Sequence, residues 1–552
     1  MGDGENTNVP HKVSLLAAAD WRFVPGVSST AEGLRVAKTD LSIVEQDGSG
    51  GQPNPPINLG MHLEETGDFA LTATLKDVTD KPASLQLYGE VPIIADEFRM
   101  ERKSVRLAVT RTQLIATTWD GTSQTAAATQ TFALPNASQQ ALTLTRQGEM
   151  LQLSAGGTQL GTLDSKDILA SNRLWFGVDS AQDSWLLSGL TAEAQQGGTV
   201  KMVATSDLTA PAHDPDGLQY LAHKKRADFT VGAAMAPTTV TTDPAYAALA
   251  LDSNQVGSWT PENAMKMQFL QPQEGHYYFQ QADLLVHLAE QNGIAVHGHA
   301  LVFGEANPHW LTALPVATAA DKQHVAQLME QHITTVMQHF GNKVGSWDVV
   351  NEPLADFDTF DPSQGNILRN HKWYQAMGED YIAKAFRAAY QANPDAQLFI
   401  NEYGLEFDGE RWDTFVQLMT TLKAQLIACG VPIDHLGVGF QAHVYEAGDK
   451  IDPVVLKRHI TQLGALGFKT QISEMDVYND EGDAVQGAQY AAVFNACITE
   501  PNCIAWRTWT LADRYDVWKD DAGAIQFGKD GLFGSDLAPR PGYAQIQKIL
   551  HQ

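Results

Sequence analysis

Between residues 228 and 510 the chain alternates apolar strand candidates with amphipathic segments, and it does so eight times. Strands that alternate with helices are typical of βαβ units, and eight such units predict a closed parallel (β/α)8 TIM barrel of the α/β class. The predicted strands are Asp228–Met235, Val256–Thr260, Ile294–Phe303, Val344–Asn351, Gln397–Asn401, Leu436–His443, Lys469–Ser473 and Ile504–Thr510. The predicted helices include Lys322–His339, Tyr374–Gln391, Arg411–Ala428 and Val454–Gly464.

Residues from about 13 to 200 have a different composition, which is rich in Thr, Ser, Gln, Ala and Gly. Apolar and polar residues alternate there, for example in Phe69–Leu75, Ala141–Thr145 and Met150–Leu153. This period of two, with turn signals such as Asp120-Gly121 and Gly156-Gly157, predicts an all-β, jelly-roll-like sandwich ahead of the barrel.

The composition and the hydrophobic pattern change near the turn Asp214-Pro215-Asp216-Gly217. After this turn, Gln219–Arg226 is predicted to form a lead-in helix. We therefore expect a sandwich domain over residues 1–210 and a barrel domain over residues 211–552.

Charge and hydropathy exclude several classes of partner. Thirty-seven basic and 65 acidic residues give a formal net charge of −28, whereas nucleic acids and anionic membranes require basic patches. No apolar run reaches the ~18–20 residues of a transmembrane helix. We therefore expect no nucleic-acid and no membrane partner.

Two glutamates stand at the ends of predicted strands. Glu352 follows the buried-type segment Trp347–Asn351, and Glu474 ends the segment Lys469–Ser473. Catalytic groups of a barrel lie at the carboxyl ends of its strands, and two carboxyl groups across one sugar are what a glycosidase requires. A single glutamate in such a place is more often an ordinary exposed residue. The prediction of a glycosidase site therefore rests on the presence of both glutamates.

From about residue 228 to 550 the chain resembles glycoside hydrolase family 10, the endo-β-1,4-xylanase family. The motifs that carry the resemblance are Thr260–Lys266, Gly298–Val302, Asn351-Glu352, Ile400–Tyr403, Gln441–His443, Ile472–Asp476 and Trp509 through Trp518. The resemblance implies an endo-acting hydrolase that cleaves the β-1,4 bonds of the polysaccharide xylan with retention of configuration. It implies neither a cofactor nor a metal.

By this resemblance Glu352 is the acid/base and Glu474 is the nucleophile. Retention predicts that the two carboxyl groups lie about 5–5.5 Å apart, whereas inversion would need ~6.5–9.5 Å. Asp476 lies two residues beyond Glu474, so a strand points both side chains to one face. His443 and Asp476 are then expected to surround the nucleophile, and Asn351 to bind the sugar 2-hydroxyl. The alternative for His443 is a structural role.

Eight further residues match the sugar-binding positions of the family. The alternatives are an ion pair between Glu262 and Lys266 without a ligand, and tryptophans that belong to the core. The eight residues are Glu262, Asn263, Lys266, His299, Tyr403, Gln441, Trp509 and Trp518.

The chain departs from the family pattern beside the site. The usual His-Thr-Leu-Val-Trp-His-Ser-Gln reads here as His299-Ala300-Leu301-Val302-Phe303-Gly304-Glu305-Ala306. Met267 replaces the usual aromatic residue, and Gly404 stands where Asn is common. We expect these changes to open volume, and a different or substituted β-glycan is therefore the alternative substrate.

The sandwich, with Leu174–Val178 near its end, weakly resembles laminin-G or concanavalin-like lectin domains. It is expected either to bind carbohydrate or only to brace the barrel. The aromatic candidates for stacking are Tyr88, Trp119, Trp175 and Trp185. A non-catalytic carbohydrate-binding protein is the competing function, although it would more naturally have lost one of the two glutamates. A barrel for phosphorylated metabolites is rejected, because the segment Thr508 to Asp516 offers aromatic and acidic residues, with Arg507 and Arg514 as the only cations.

Three further expectations concern the whole protein. Relatives carry a disulfide at the place of Cys497 and Cys503, and the alternative is two reduced thiols. Residues Met1–Asn6 lack the pattern of a signal peptide. The alternatives are a cytoplasmic protein and a secreted protein whose signal has been removed. We expect the second, because a polymer is degraded outside the cell. We also expect a monomer.

Overall fold

A computed structural model describes residues 11–17, 20–41, 56–90, 103–120, 128–519 and 525–552. The chain forms two compact units. One holds most of the residues up to Leu208 together with Tyr278–Leu284, and the other holds most of the remainder.

The first unit is a sandwich of two antiparallel sheets. One sheet has the strand order β12-β11-β10-β5-β14-β3-β2, with β1 paired to β14, and the other has the order β15-β4-β13-β6-β7-β8-β9. The strands are β1 Lys12–Ser14, β2 Val27–Thr30, β3 Gly33–Ala37, β4 His62–Thr66, β5 Phe69–Lys76, β6 Ala83–Tyr88, β7 Ser104–Val109, β8 Gln113–Trp119, β9 Ala128–Ala133, β10 Gln140–Gln147, β11 Met150–Ala155, β12 Thr158–Asp164, β13 Arg173–Ser180, β14 Ser184–Ala194 and β15 Thr199–Val203.

Alternation along these strands builds the core of the sandwich. In β5 every second residue, beginning with Phe69, is buried, and side chains from both sheets join one hydrophobic cluster. Gly156 and Gly157, with φ of +55° and +83°, form the tight turn between β11 and β12, a backbone conformation that suits glycine. Asp120 is described, but Gly121 lies outside the described residues.

The second unit contains a closed barrel of eight parallel strands, which confirms the predicted fold class. They are β16 Thr230–Met235, β17 Ser258–Pro261, β18 Ala295–Phe303, β19 Ser346–Asn351, β20 Gln397–Glu402, β21 Leu436–Phe440, β23 Lys469–Val477 and β24 Cys503–Thr508. They pair in this order, β24 pairs with β16, and the ring is thereby closed. The short strands β22 His443–Val444, β25 Val517–Lys519 and β26 Ile525–Phe527 lie outside the ring.

The α-helices, in chain order, are α1 Lys166–Leu169, α2 Leu218–Lys225, α3 Pro237–Thr242, α4 Pro244–Ala250, α5 Met267–Leu270, α6 Gln280–Gln291, α7 His309–Thr312, α8 Ala319–Phe340, α9 Lys372–Met377, α10 Asp380–Ala392, α11 Glu410–Ala428, α12 Pro453–Ala465, α13 Asp483–Ile498 and α14 Pro541–His551.

Two predicted elements are interrupted. The predicted helix Tyr374–Gln391 is two helices, α9 and α10, because Gly378 adopts a φ of +63° that ends the first. The predicted strand Leu436–His443 stops at Phe440, and Ala442 has a φ of +62° before His443 begins β22. Within the described residues no helix is long and apolar enough to cross a membrane.

A disulfide joins Cys497 to Cys503 across the turn between α13 and β24, with the two Cα atoms 5.2 Å apart. Cys429 is a free, exposed thiol.

Candidate active site

The two glutamates lie at the carboxyl-terminal part of barrel strands. Glu352 follows β19 directly, and its backbone N–H donates to the carbonyl of Asn401 on β20 over 2.7 Å. It has a φ of +51°, a conformation that costs a non-glycine residue roughly 1–3 kcal/mol and tends to occur at functional sites. Glu474 lies within β23 and is buried.

Two side-chain amides connect the two carboxyl groups. Asn351 Nδ2 donates to Glu352 Oε2 over 3.3 Å. Asn401 Nδ2 donates both to Asn351 Oδ1, over 2.9 Å, and to Glu474 Oε2, over 2.6 Å. The hydroxyl of Ser473 donates to the side-chain oxygen of Asn401 over 2.5 Å. The acids are therefore held in one hydrogen-bonded chain, in which Asn401 is fully buried.

His443 lies between two carboxylates. Its Nε2 is 3.1 Å from Glu474 Oε1, and its Nδ1 is 2.6 Å from Asp476 Oδ1. Burial lowers the pKa of His443, but the negative charges of Asp476 and Glu474 outweigh it and raise the pKa well above its usual value. A doubly protonated imidazole donates to both neighbours.

The surroundings give the two glutamates opposite proton affinities. Burial raises the pKa of Glu474, but the hydrogen bond from His443 and the charges of His299 and His443 more than offset it, so the pKa is lowered. Burial and the negative charge of Glu474 raise the pKa of Glu352, and Arg369 only partly opposes this. Glu352 therefore holds a proton more readily than Glu474 does.

Arg369 contacts the carboxyl group of Glu352 and was missed from the sequence. Its Nη2 lies 3.0 Å from Glu352 Oε1 and 3.1 Å from Asp356 Oδ1, and its Nη1 lies 3.2 Å from Glu305 Oε1. The hydroxyl of Tyr403 is 3.3 Å from the same Nη2. Arg369 lies in the irregular segment before α9, where no periodic signal marks it.

His299 is buried in a second set of hydrogen bonds inside the barrel. Its Nδ1 is 2.7 Å from Asp348 Oδ2, while His297 Nε2 is 2.9 Å from the other oxygen of Asp348. Burial raises the pKa of Asp348, but the two imidazoles outweigh it and the pKa is lowered. The ring of Trp509 meets that of His299 edge-on, with centroids 5.3 Å apart.

The other predicted sugar contacts are placed as follows. Glu262, Asn263 and Lys266 follow β17 and are partly exposed, and Lys266 Nζ donates to Asn263 Oδ1 over 2.8 Å. Gln441 is buried beside Glu352. Trp518 lies in β25, but its side chain is outside what the structure describes.

The expected open volume at Gly304 is not there, which corrects the sequence-based prediction. A Cβ atom on Gly304 would lie 2.7 Å from Cδ2 of His371, so this imidazole already fills the place of the missing side chain. Burial, together with the charge of Arg369, lowers the pKa of His371 to about 4. Phe303 and Met267 are both buried. A local motif could not reveal the replacement, because His371 lies far along the chain.

The chain matches known glycosidases. The model of the family described as "Glycosyl hydrolase family 10" matches residues 220–549. Endo-1,4-beta-xylanase B of Thermotoga neapolitana is 32% identical over 300 residues, 53% of this chain and 80% of that protein. Endo-1,4-beta-xylanase A of Thermoanaerobacterium saccharolyticum is 37% identical over 330 residues, 57% of this chain but only 26% of that longer protein.

Solved structures agree. The native xylanase 10B of Thermotoga maritima is 29% identical with a TM-score of 0.52, covering 61% of this chain and 98% of that one. The xylanase 10B of Thermotoga petrophila RKU-1, in complex with xylobiose, is 30% identical with a TM-score of 0.52, covering 61% and 97%. Since the family match spans more than half of the 552 residues, the chain belongs to glycoside hydrolase family 10.

Proposed function

We propose that this chain is a retaining endo-1,4-β-xylanase in which Glu474 is the nucleophile and Glu352 the acid/base. The observation that carries the assignment is the hydrogen-bonded chain that joins Glu352 to Glu474 through Asn351 and Asn401, with His443 beside Glu474. The pKa of Glu352 is raised and that of Glu474 is lowered, which fits the two roles. Two carboxyl groups whose surroundings separate their pKa values mark an acid and a base or nucleophile. The names of the relatives supply the substrate class.

In the first step a carboxylate oxygen of Glu474 attacks the anomeric carbon, and the bond to the leaving oxygen breaks. Glu352 gives its proton to that oxygen, and a glycosyl ester forms on Glu474. In the second step the ionised Glu352 takes a proton from water, the water oxygen attacks the same carbon, and Glu474 leaves as a carboxylate. Two displacements retain the configuration.

The neighbours support each state of this cycle. His443 and Asn401 donate to Glu474 when it is charged, before attack and after release. Asn351, joined to Glu352 and Asn401, is suited to donate to the 2-hydroxyl of the sugar, a contact that strengthens in the transition state. Gln441 is buried close to Glu352, and its side chain lowers the pKa of that carboxyl group.

Product analysis on a panel of polysaccharides tests the substrate. We expect short β-1,4-xylooligosaccharides from xylan and little release from hexose-based β-glucans, with Glu474→Ala as the inactive control. Cleavage of glucans alone would overturn the xylanase assignment and leave the retaining mechanism standing. No cleavage of any polymer by the wild type would favour the non-catalytic alternative, which the relatives do not favour.

We propose that the sandwich assists this activity by binding carbohydrate. Tyr88, Trp175 and Trp185 do not support the proposal, since they are buried in the core, and Trp119 is half-buried. Retention of residues 1–210 on insoluble xylan tests it, and failure to bind would leave a bracing role. We further propose a secreted monomer, since the substrate is an extracellular polymer; secretion assays and sedimentation would check this.

A further inference from the structure

Glu402 and Glu406 are two buried glutamates that the proposed reaction does not use. Glu402 ends β20 and is fully buried, and Glu406 lies in the segment before α11 and is 3% exposed. Glutamate is rarely so deeply buried unless its carboxyl group is paired, because taking that group out of water is costly. The contacts of these two side chains therefore indicate what they do.

Glu402 binds the backbone just after the proposed acid/base. The backbone N–H of Leu354 donates to Glu402 Oε2 over 2.9 Å, and the backbone N–H of Tyr403 donates to Glu402 Oε1 over 3.0 Å. Leu354 lies two residues after Glu352, which has a φ of +51°. Such a conformation persists in a residue other than glycine only where neighbouring contacts hold it. The carboxyl group of Glu402 makes one of these contacts.

Glu406 makes the corresponding contact on the side of the proposed nucleophile. Its Oε1 accepts the backbone N–H of Ala442 over 2.8 Å. Ala442 is buried, has a φ of +62° and directly precedes His443, whose Nε2 lies 3.1 Å from Glu474 Oε1. Each of the two buried carboxyl groups therefore accepts a backbone N–H at or near a residue in the left-handed conformation.

Arg411 strengthens the contact with the acid/base segment. It is buried, and its Nη2 lies 3.3 Å from Glu402 Oε1. Its Nε donates to the backbone carbonyl of Ala355 over 3.1 Å, and its Nη1 donates to that of Tyr403 over 2.7 Å. The segment from Glu402 to Arg411 therefore binds the backbone on both sides of the site.

We propose that Glu402 and Glu406 are positioning residues, Glu402 for the acid/base Glu352 and Glu406 for His443 beside the nucleophile Glu474. This rests on the proposed function. A misplacement of about 1 Å can cost on the order of 100-fold in rate. Hydrogen bonds that fix a strained turn therefore affect kcat/KM without touching the substrate.

Two aryl β-xylobiosides separate the two roles, because they share the sugar and differ in their need for an acid. 2,4-Dinitrophenolate leaves without a proton, whereas phenolate leaves readily only when an acid such as Glu352 protonates it. For both substrates kcat/KM reports the first displacement, in which Glu474 attacks.

Replacing Glu402 should impair only the reaction that needs the acid. Methionine is of similar length and fills the space without a strong acceptor. For Glu402→Met we expect kcat/KM to fall roughly 5- to 30-fold on phenyl β-xylobioside, as for one lost buried hydrogen bond, and to stay unchanged on the dinitrophenyl substrate. Glu402→Gln keeps one accepting oxygen, so its fall on the phenyl substrate should be smaller.

Replacing Glu406 should impair both reactions. For Glu406→Met we expect kcat/KM to fall by a similar factor on the two substrates, because His443 serves the nucleophile in each. Glu410→Gln, at an exposed glutamate that begins α11, is the matched control and should change neither value.

Thermal melts establish that each variant is folded at the assay temperature. If Glu402→Met is not, Glu402→Gln takes its place, with a smaller fall expected on the phenyl substrate alone. Equal falls on both substrates after replacement of Glu402 would indicate a general structural role and overturn the proposal, as would no fall on either. A fall confined to the phenyl substrate in Glu406→Met would overturn its role beside the nucleophile. A wild-type protein inert toward both substrates would overturn the proposed function and this proposal with it.

Discussion

Arg369 Nη2 lies 3.0 Å from Glu352 Oε1, so the proposed general acid carries a cation on one of its oxygens. This contact opposes what the acid needs, since a positive neighbour lowers the pKa of a carboxyl group that must be protonated. Burial and Glu474 nevertheless raise the pKa of Glu352. We therefore expect Arg369 to limit how high that pKa rises and to set the alkaline end of the activity range.

Replacing Arg369 tests this directly. In Arg369→Met the pKa of Glu352 should rise further, so the alkaline limb of the kcat/KM profile moves to higher pH by on the order of one unit. Arg369→Lys keeps the charge and should leave the limb near its wild-type position. An unmoved or lowered limb in Arg369→Met would show that the cation does not tune the acid.

We expect His443 to set the position of the acidic limb of the kcat/KM profile. Glu474 must be ionised, and His443 lowers its pKa. In His443→Gln that pKa should rise, so activity is lost at a higher pH on the acidic side. Tyr445→Phe, which keeps the ring stacked on His443 with centroids 5.3 Å apart, serves as the matched control and should not move the limb. If the acidic limb of His443→Gln coincides with that of the control, the proposed role of His443 is wrong.

We expect the loss of Asn401 to lower kcat/KM as much as the loss of the predicted residues around it. Asn401→Ala removes a hydrogen bond to a charged acceptor, which costs about 1.5–3 kcal/mol and corresponds to roughly 10- to 100-fold in kcat/KM. Ser473→Ala removes only the support of the Asn401 oxygen, and its loss should be smaller. Steady-state kinetics with matched thermal melts would decide, and equal losses in the two variants would contradict the account.

The disulfide closes a short loop, with a sequence separation of 6 residues. The chain-entropy relation gives about 2 kcal/mol for such a loop. The double variant Cys497→Ala/Cys503→Ala should lose about this much free energy of unfolding in urea titration while keeping its kcat. Cys429→Ala, at the exposed free thiol, should match the wild type. A double variant as stable as Cys429→Ala would mean that the bond does not stabilise the fold.

The barrel was predictable because each of its strands is a short apolar run followed by a helical segment, a pattern that local sequence carries. The places of Glu352 and Glu474 near the carboxyl ends of strands were predictable for a related reason, since each follows a buried-type segment, and their catalytic roles stay predictions. Arg369 and His371 were not, because they lie in an irregular segment and reach the site only through the fold. The prediction of open volume at Gly304 was wrong for the same reason, since the side chain that fills this space comes from elsewhere in the chain.

Trapping the covalent intermediate tests the central assignment most directly. A 2-deoxy-2-fluoro-β-xylobioside with a good leaving group should inactivate the enzyme, because the fluorine slows both steps while the good leaving group speeds only the first. Peptide mapping by mass spectrometry should then find one fluoroxylobiosyl group on Glu474, and none in Glu474→Ala. A label on another residue, or turnover without a covalent adduct, would contradict the double-displacement mechanism.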